Sequence, residues 1–336
     1  MDEKISRRSV VKAIGAGTAL GVLGMPAIAR AADSIKVGYL HTLAVDGQLW
    51  LADHEGYWKE QKLAPQFVKF TTGLQLFQAM IGGSIDMLVT GAVISNFPAR
   101  GQGKAFLMND IEFATAQLWV NPAKGVSDWK DLKGKTIATT LGTTAHVFLA
   151  TALKAHGLTP DKDVKLLNQT MSQAVTSFIS GAVPAVALWV PFNISVEKQL
   201  PDAKMIDDAS HYYPQAAIMD GWACQEGFMK EKPDILKRVI KAWQPANDFL
   251  VEKPDEALKI IQEKYYPKVP LADLKVQYKA EKVFDSKHWV ELFKNGQVTK
   301  WLQQVTDFYV SVGGISNPVP AKDYFVPDFY LDVVKA

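Results

Sequence analysis

The chain has 336 residues, 48% of them apolar and 21% charged, with a formal net charge of +2. That length admits two domains of ordinary size, and the near-neutral balance excludes the basic stripe that nucleic-acid binding requires. A single cysteine, Cys224, excludes an internal disulfide and a cysteine-rich metal site.

Residues 1–31 read as an export signal of the twin-arginine type. "SRRSVVK" (Ser6 to Lys12) is a charged start in which Arg7 and Arg8 are paired. "AIGAGTALGVLGMPAIA" follows, apolar and rich in small residues, and Ala29-Arg30-Ala31 has the small-x-small form of a cleavage site. Val10-Val11 stands where Phe-Leu is commoner, and a Sec signal that happens to carry two arginines is the alternative. The apolar stretch is too short and glycine-rich for a membrane span, and no later segment reads as one. No cysteine follows it, so a free periplasmic protein starting near Ala32 is expected.

Strands and helices then alternate. "IKVGYL" (Ile35 to Leu40) has the run of a buried strand, and "GQLWLADHEGYWKEQ" places Leu49, Trp50, Ala52 and Tyr57 at helical spacing. "APQFVKF" is a second strand, "GLQLFQAMIGG" a helix ended by a glycine pair, and "IDMLVTG" a third strand. "AVISNFPARGQG" reads as helix and turn, "KAFLMN" as a fourth strand, and "FATAQLWV" as a strand on the way out of this unit. After "NPAKGVSDW" the rhythm restarts with "KTIATT", a helix from Ala145, "VKLLNQ", "SQAVTSFISG", "AVALWV", "FNISVEKQL" and "AKMID". From Pro233 to Val312 the pattern is almost wholly helical, so those helices must cover existing sheets. The expectation is an α/β protein of two units, each a mainly parallel sheet flanked by helices.

Open α/β sheets bind ligands at the carboxyl ends of their strands, which selects the candidate residues. In "DLKGKTIATTLGTTAH", Gly142 ends a strand and Thr143 or Thr144 starts a helix. The N–H groups of Thr143, Thr144 and Ala145 lack intrahelical partners there, and the helix dipole favours an anion. A plain helix cap explains the same residues. His41 and Thr42 follow the first strand, while Thr71 and Thr72 follow the second and open a helix in the same way. Thr90 and Gly91 follow the third, where turn chemistry is the competing account. Trp189 ends its strand with Phe192 close behind, placed for ligand contact or for packing. Asp220 and Trp222 follow the second passage between units; Asp220 is either a partner for a ligand amine or a solvated aspartate. No HExxH, GxSxG or P-loop spacing occurs. No catalytic residue, metal site or cofactor is therefore expected.

"IKVGYLHT", "GYWKEQKL", "LFQAMIGGSIDMLVTG", "DLKGKTIATTLGTTAH", "AVALWVPF" and "GFMKEKPDILKRVIKAW" occur in an order that resembles the periplasmic solute-binding proteins of ABC importers. The resemblance is to the nitrate, sulfonate and taurine group, which also includes binders of thiamine precursors, and runs from about Ile35 to Val312. It implies a two-lobe type II fold with the ligand cleft between lobes. The first lobe would span 33–121 plus 214–336 with the C-terminal helices, and the second 122–213, with hinges near Asn121-Pro122 and Tyr213-Pro214. It also implies that "LGTTAH" meets an anionic ligand group in the cleft and that position 189 carries a contact residue.

Two threonine-rich helix starts suggest a small anionic head, and Trp189, Phe192 and Trp222 suggest an organic body rather than bare nitrate. The expected ligand is an organosulfonate, a taurine-like compound or a related organic anion. A monomer that passes this ligand to a membrane permease of an ABC importer is the expected role, with no nucleic-acid partner. A sensor module is an alternative. A thiamine-pyrimidine-precursor enzyme is another, but the cysteine-rich motif of those enzymes is absent here.

Overall fold

The computed structural model describes residues 31–335, so the paired arginines and all but the last residue of the export signal lie outside the described residues. Among the described residues ten strands form two five-stranded sheets. The first sheet contains β1 (Asp33–Leu40), β2 (Leu63–Phe70), β3 (Met87–Thr90) and β4 (Lys104–Ile111). The second contains β5 (Ala116–Val120), β6 (Thr136–Thr139), β7 (Lys165–Asn168), β8 (Ala185–Trp189) and β9 (Lys204–Asp208). The chain then returns to the first sheet as β10 (Met219–Cys224). Strand order is β2-β1-β3-β10-β4 in one sheet and β7-β6-β8-β5-β9 in the other.

The two sheets share one logic. β1 pairs parallel with β2 and β3, and β6 pairs parallel with β7 and β8. In each sheet one reversed strand, the one that arrives from the other sheet, sits between two neighbours: β10 between β3 and β4, and β5 between β8 and β9. Each sheet is thus parallel in its remaining four strands. β2 is an edge strand, which tolerates Pro65 opposite Ile35 because proline has no N–H for a ladder.

Two expectations change here. "FATAQLWV" does not close the first unit: β5 hydrogen-bonds β8 and β9, so the first passage between sheets is 112–115 rather than Asn121-Pro122. Asn121 caps a turn over Pro122–Lys124, its side-chain oxygen accepting the Ala123 N–H at 3.0 Å. The second passage, 209–218, contains Tyr213-Pro214. The other change is β10, a buried strand at the heart of the first sheet that no strand signal announced. Asp220 and Gly221 interrupt its apolar run, and Gly221 is required because a Cβ there would meet Met108 Sδ at 2.7 Å and the Leu107 carbonyl at 2.8 Å.

The C-terminal helices cover the first sheet, as their apolar stripes required. Helices Pro233–Glu252 and Pro254–Lys264 pack on Leu43–His54, and Gln297–Ser311 packs on the turn Ala92–Ser95. Among the described residues no helix is long and apolar enough to cross a membrane.

Asn109 ties this core together. Its Oδ1 accepts the indole N–H groups of both Trp222 and Trp243 at 2.9 Å. Its Nδ2 donates to the carbonyls of Val45 at 3.1 Å and Ala44 at 3.3 Å. Trp222 and Trp243 are fully buried, so no water can replace Asn109. Asn109→Ala should therefore cost about 2–4 kcal/mol of stability, the scale of two stranded buried donors; urea unfolding at neutral pH measures it.

Candidate functional site

Between the carboxyl ends of the parallel strands lies a cavity of about 40 Å³. Roughly 10–15 Å³ suffices for one water, so the space suits a small head group. The first sheet contributes Leu40 and Thr42 from the end of β1, Gly73 beyond β2, Thr90 and Gly91 from the end of β3, and Asp220 on β10. The passage 112–115 contributes Glu112 and Thr115, and the second sheet contributes Thr143, Thr144, Trp189 and Val190.

Gly91 lies at the centre of the polar groups. A Cβ there would lie 2.1 Å from Glu112 Oε1, 2.7 Å from Thr144 Oγ1 and 3.0 Å from Asp220 Oδ1. Only a hydrogen fits where three oxygens converge. Gly73 is constrained in the same way, since its Cβ would lie 2.4 Å from Thr90 Oγ1.

The helix start at "LGTTAH" makes contacts that neither sequence reading named. Thr144 Oγ1 donates to Glu112 Oε1 at 2.7 Å and accepts the Ala92 N–H at 3.2 Å. The hydroxyl thus joins the second-sheet helix Thr144–Ala155 to the passage and to the first-sheet turn. Thr143, the N-cap residue, makes no side-chain cap and instead donates to the Thr140 carbonyl at 2.7 Å. Gly142 has φ +79°, and a Cβ there would meet only Leu74 Cδ2, at an ordinary contact distance of 3.9 Å, so its backbone conformation is enough to require glycine. Its N–H donates to His146 Nδ1 at 3.1 Å, and its carbonyl accepts from the Tyr309 hydroxyl at 3.1 Å. Burial pushes the His146 pKa down to about 4, leaving a neutral ring whose Nδ1 can accept.

Of the residues expected from sequence, the cavity brings together Thr42, Thr90, Gly91, Thr143, Thr144, Trp189 and Asp220. The others lie outside its lining. Thr72 caps its own helix, its hydroxyl accepting the Gln75 N–H at 3.3 Å, and Thr71 donates to Gln75 Oε1 at 2.6 Å. Ala145 is fully buried. Phe192 packs edge-on against Trp189 with ring centroids 5.8 Å apart, and Trp222 belongs to the Asn109 core. Gly142 acts through the backbone contacts just described.

Sequence reasoning missed the acidic cluster. Asp110 and Glu112 stand two apart in "LMNDIEF", a run otherwise apolar but for Asn109; that is the spacing of one strand face, although Glu112 itself lies just past the end of β4, and that signal was available. Asp220 sits directly opposite Asp110 across the β4–β10 pair, a like-charge arrangement that costs stability. Both are 1% exposed. Neither oxygen of Asp110 meets a donor, and Oδ1 of Asp220 meets none either. Glu281, at the end of helix Leu271–Ala280, completes the cluster.

Burial first, and then mutual repulsion, raises these carboxyls. Asp110 is pushed well up by burial and by Glu281 and Glu112, and Asp220 by burial, Glu112 and Asp110. Glu281 rises through burial and then Asp220, Asp46 and Glu112. Glu112 is pushed up to about 7 by burial, although the Thr144 and Thr115 hydroxyls and the Ala92 N–H favour its ionised form. Among the described residues no lysine or arginine offsets any of the four.

Residues 47–257 match the family described as NMT1/THI5 like. The chain belongs to this family. A protein of Brucella abortus (strain 2308), named as a binding protein, is 27% identical over 312 residues, which is 93% of this chain and 96% of that protein. The taurine-binding periplasmic protein of Escherichia coli (strain K12) is 26% identical over 228 residues, 67% of this chain and 69% of that protein. Among solved structures, the alkanesulfonate-binding protein SsuA from Xanthomonas axonopodis pv. citri, bound to MOPS, superimposes with a TM-score of 0.72 at 19% identity. That match covers 89% of this chain and 100% of SsuA. The fold is therefore the two-lobe α/β fold of periplasmic binding proteins, and these relatives of the NMT1/THI5-like chain are named for binding, not for catalysis.

Proposed function

We propose that this chain is the extracytoplasmic solute-binding component of an ABC importer, which captures a small organic solute between its lobes and delivers it to a membrane permease. The observation that carries the reading is the Thr144 hydroxyl, which bonds Ala92 of one lobe and Glu112 of the passage at the wall of the cavity. A group that bridges two lobes beside a partly open cleft suits capture by closure about a hinge. The relatives named for taurine and sulfonate binding support a solute of that size and a periplasmic setting. The organic anion expected from the helix starts finds less support in the cleft. The lining holds Glu112 and Asp220 and no lysine or arginine, so nothing in it supplies a counter-charge for a bare sulfonate.

Chain isolated gently from cell extract should carry one small solute in native mass spectrometry. A strain lacking the protein should fail to take that solute up. Thr144→Val removes both hydrogen bonds of the bridge, and solute affinity should fall roughly tenfold, the scale of one to two polar contacts. Undiminished uptake in the deletion strain would overturn the importer role.

A further inference from the structure

We infer that the solute of this cleft is an organic cation, whose ammonium or amidinium head sits against Asp220, Glu112 and the Thr90 hydroxyl. The inference rests on the solute-capture reading above and names its substrate class.

Buried polar atoms without partners carry the argument. Asp220 and Thr90 both line the cavity at 1% exposure, and Asp220 Oδ1 and Thr90 Oγ1 have no hydrogen-bond partner. A buried acceptor left open costs free energy until a donor arrives. Two of the three oxygens that converge over Gly91 belong to carboxylates. The pairing of Asp110 with Asp220 across β4 and β10 places a second acid directly behind the first. A positive charge between these groups would let them ionise together.

The acidity is local, because the whole chain carries +2. The nearest candidate counter-charge in sequence, Lys282 beside Glu281, lies over the rings of Phe113, Tyr213 and Phe284, with Nζ 5.4–5.6 Å from each centroid. Among the described residues no group of three or more His, Cys, Asp or Glu is placed to hold a metal ion, so the carboxylates do not converge as an inorganic cation would need. Val45, Val93, Val190 and Trp189 give part of the wall an apolar face. They suit the hydrocarbon part of an organic cation, and an indole face attracts such a charge.

The test compares three four-carbon probes with the purified chain: n-butylammonium, butyramidinium and butane-1-sulfonate. At least one of the two cations should raise the melting temperature and bind in calorimetry, and the sulfonate should do neither. Asp220→Asn should weaken the cation at least tenfold, and Glu112→Gln should weaken it too, with both variants folded by circular dichroism. Stronger binding of the sulfonate, unchanged cation binding in Asp220→Asn, or no binding of either cation at millimolar concentration would overturn the assignment. Native mass spectrometry separates the two readings. A retained anionic or neutral solute would overturn the cation assignment and leave solute capture standing.

Discussion

Gly91→Ala should abolish solute binding while leaving the fold intact. The backbone at Gly91 has φ −74°, so the substitution brings no left-handed strain; the cost is spatial. The new methyl would lie 2.1 Å from Glu112 Oε1 and 2.7 Å from Thr144 Oγ1, far inside contact distance. Glu112 cannot simply swing aside, because Thr115 holds its other oxygen at 3.0 Å and Thr144 holds this one at 2.7 Å. Displacing it breaks the bridge between lobes and fills the cavity at once. Affinity for the solute that wild type retains should fall by about 100-fold or more, ~2.7 kcal/mol, with a melting temperature within a few degrees of wild type. Calorimetry and thermal unfolding read the two effects separately. Binding within threefold of wild type would mean that the solute sits elsewhere.

The second expected result concerns pH. Without solute, the acidic cluster should make the protein less stable as pH rises from about 4.5 to about 7. Glu112 has a folded-state pKa of about 7 against an ordinary value of 4.5. A group raised in the folded state holds its proton there after the unfolded chain has released it. Its contribution is fully present below pH 4.5 and is lost as pH climbs through 7. Asp110, Asp220 and Glu281 are shifted in the same direction. His146 acts oppositely, since a neutral buried imidazole with a pKa of about 4 loses stability as pH falls from 6.5 through 4. The contrast between variant and wild type isolates the carboxylate. Glu112→Gln should raise stability at pH 8 by roughly 2–3 kcal/mol, about 3–5 °C in a chain of this size, and should change little at pH 4. Equal effects at both pH values would show that Glu112 is not held protonated by its surroundings.

Periodicity and punctuation in the sequence were enough for the α/β class, the two repeated units and the helical tail. Those features depend on local patterns: apolar runs of strand length, helical stripes, and Gly142 or Gly157 where a helix begins or ends. The strand ends were legible for the same reason, which is why Thr42, Thr90, Gly91, Thr143, Thr144 and Trp189 could be named before their neighbours were known, whereas Asp220 was named only for its place after the second passage. Family resemblance added the two lobes and the cleft between them.

Pairing was a matter for the tertiary structure alone. β5 follows the first unit in sequence but lies between β8 and β9, and β10 lies between β3 and β4 although Asp220 and Gly221 spoil its apolar pattern. Which strand a segment joins depends on partners far away in the chain, and no local signal encodes them. The same limit governs the site. The helix start at Gly142 to Ala145 suggested an anion, because unpaired N–H groups and a dipole are local properties. Asp110 with Glu112, Asp220, and Glu281 come from three separated segments and meet only when β10 enters the first sheet beside β4. Once one of them ionises, its whole charge in a buried setting exceeds the half-charge of the helix dipole. The sequence by itself determined where the strands end, and the long-range pairing of strands decided which side chains stand beside those ends.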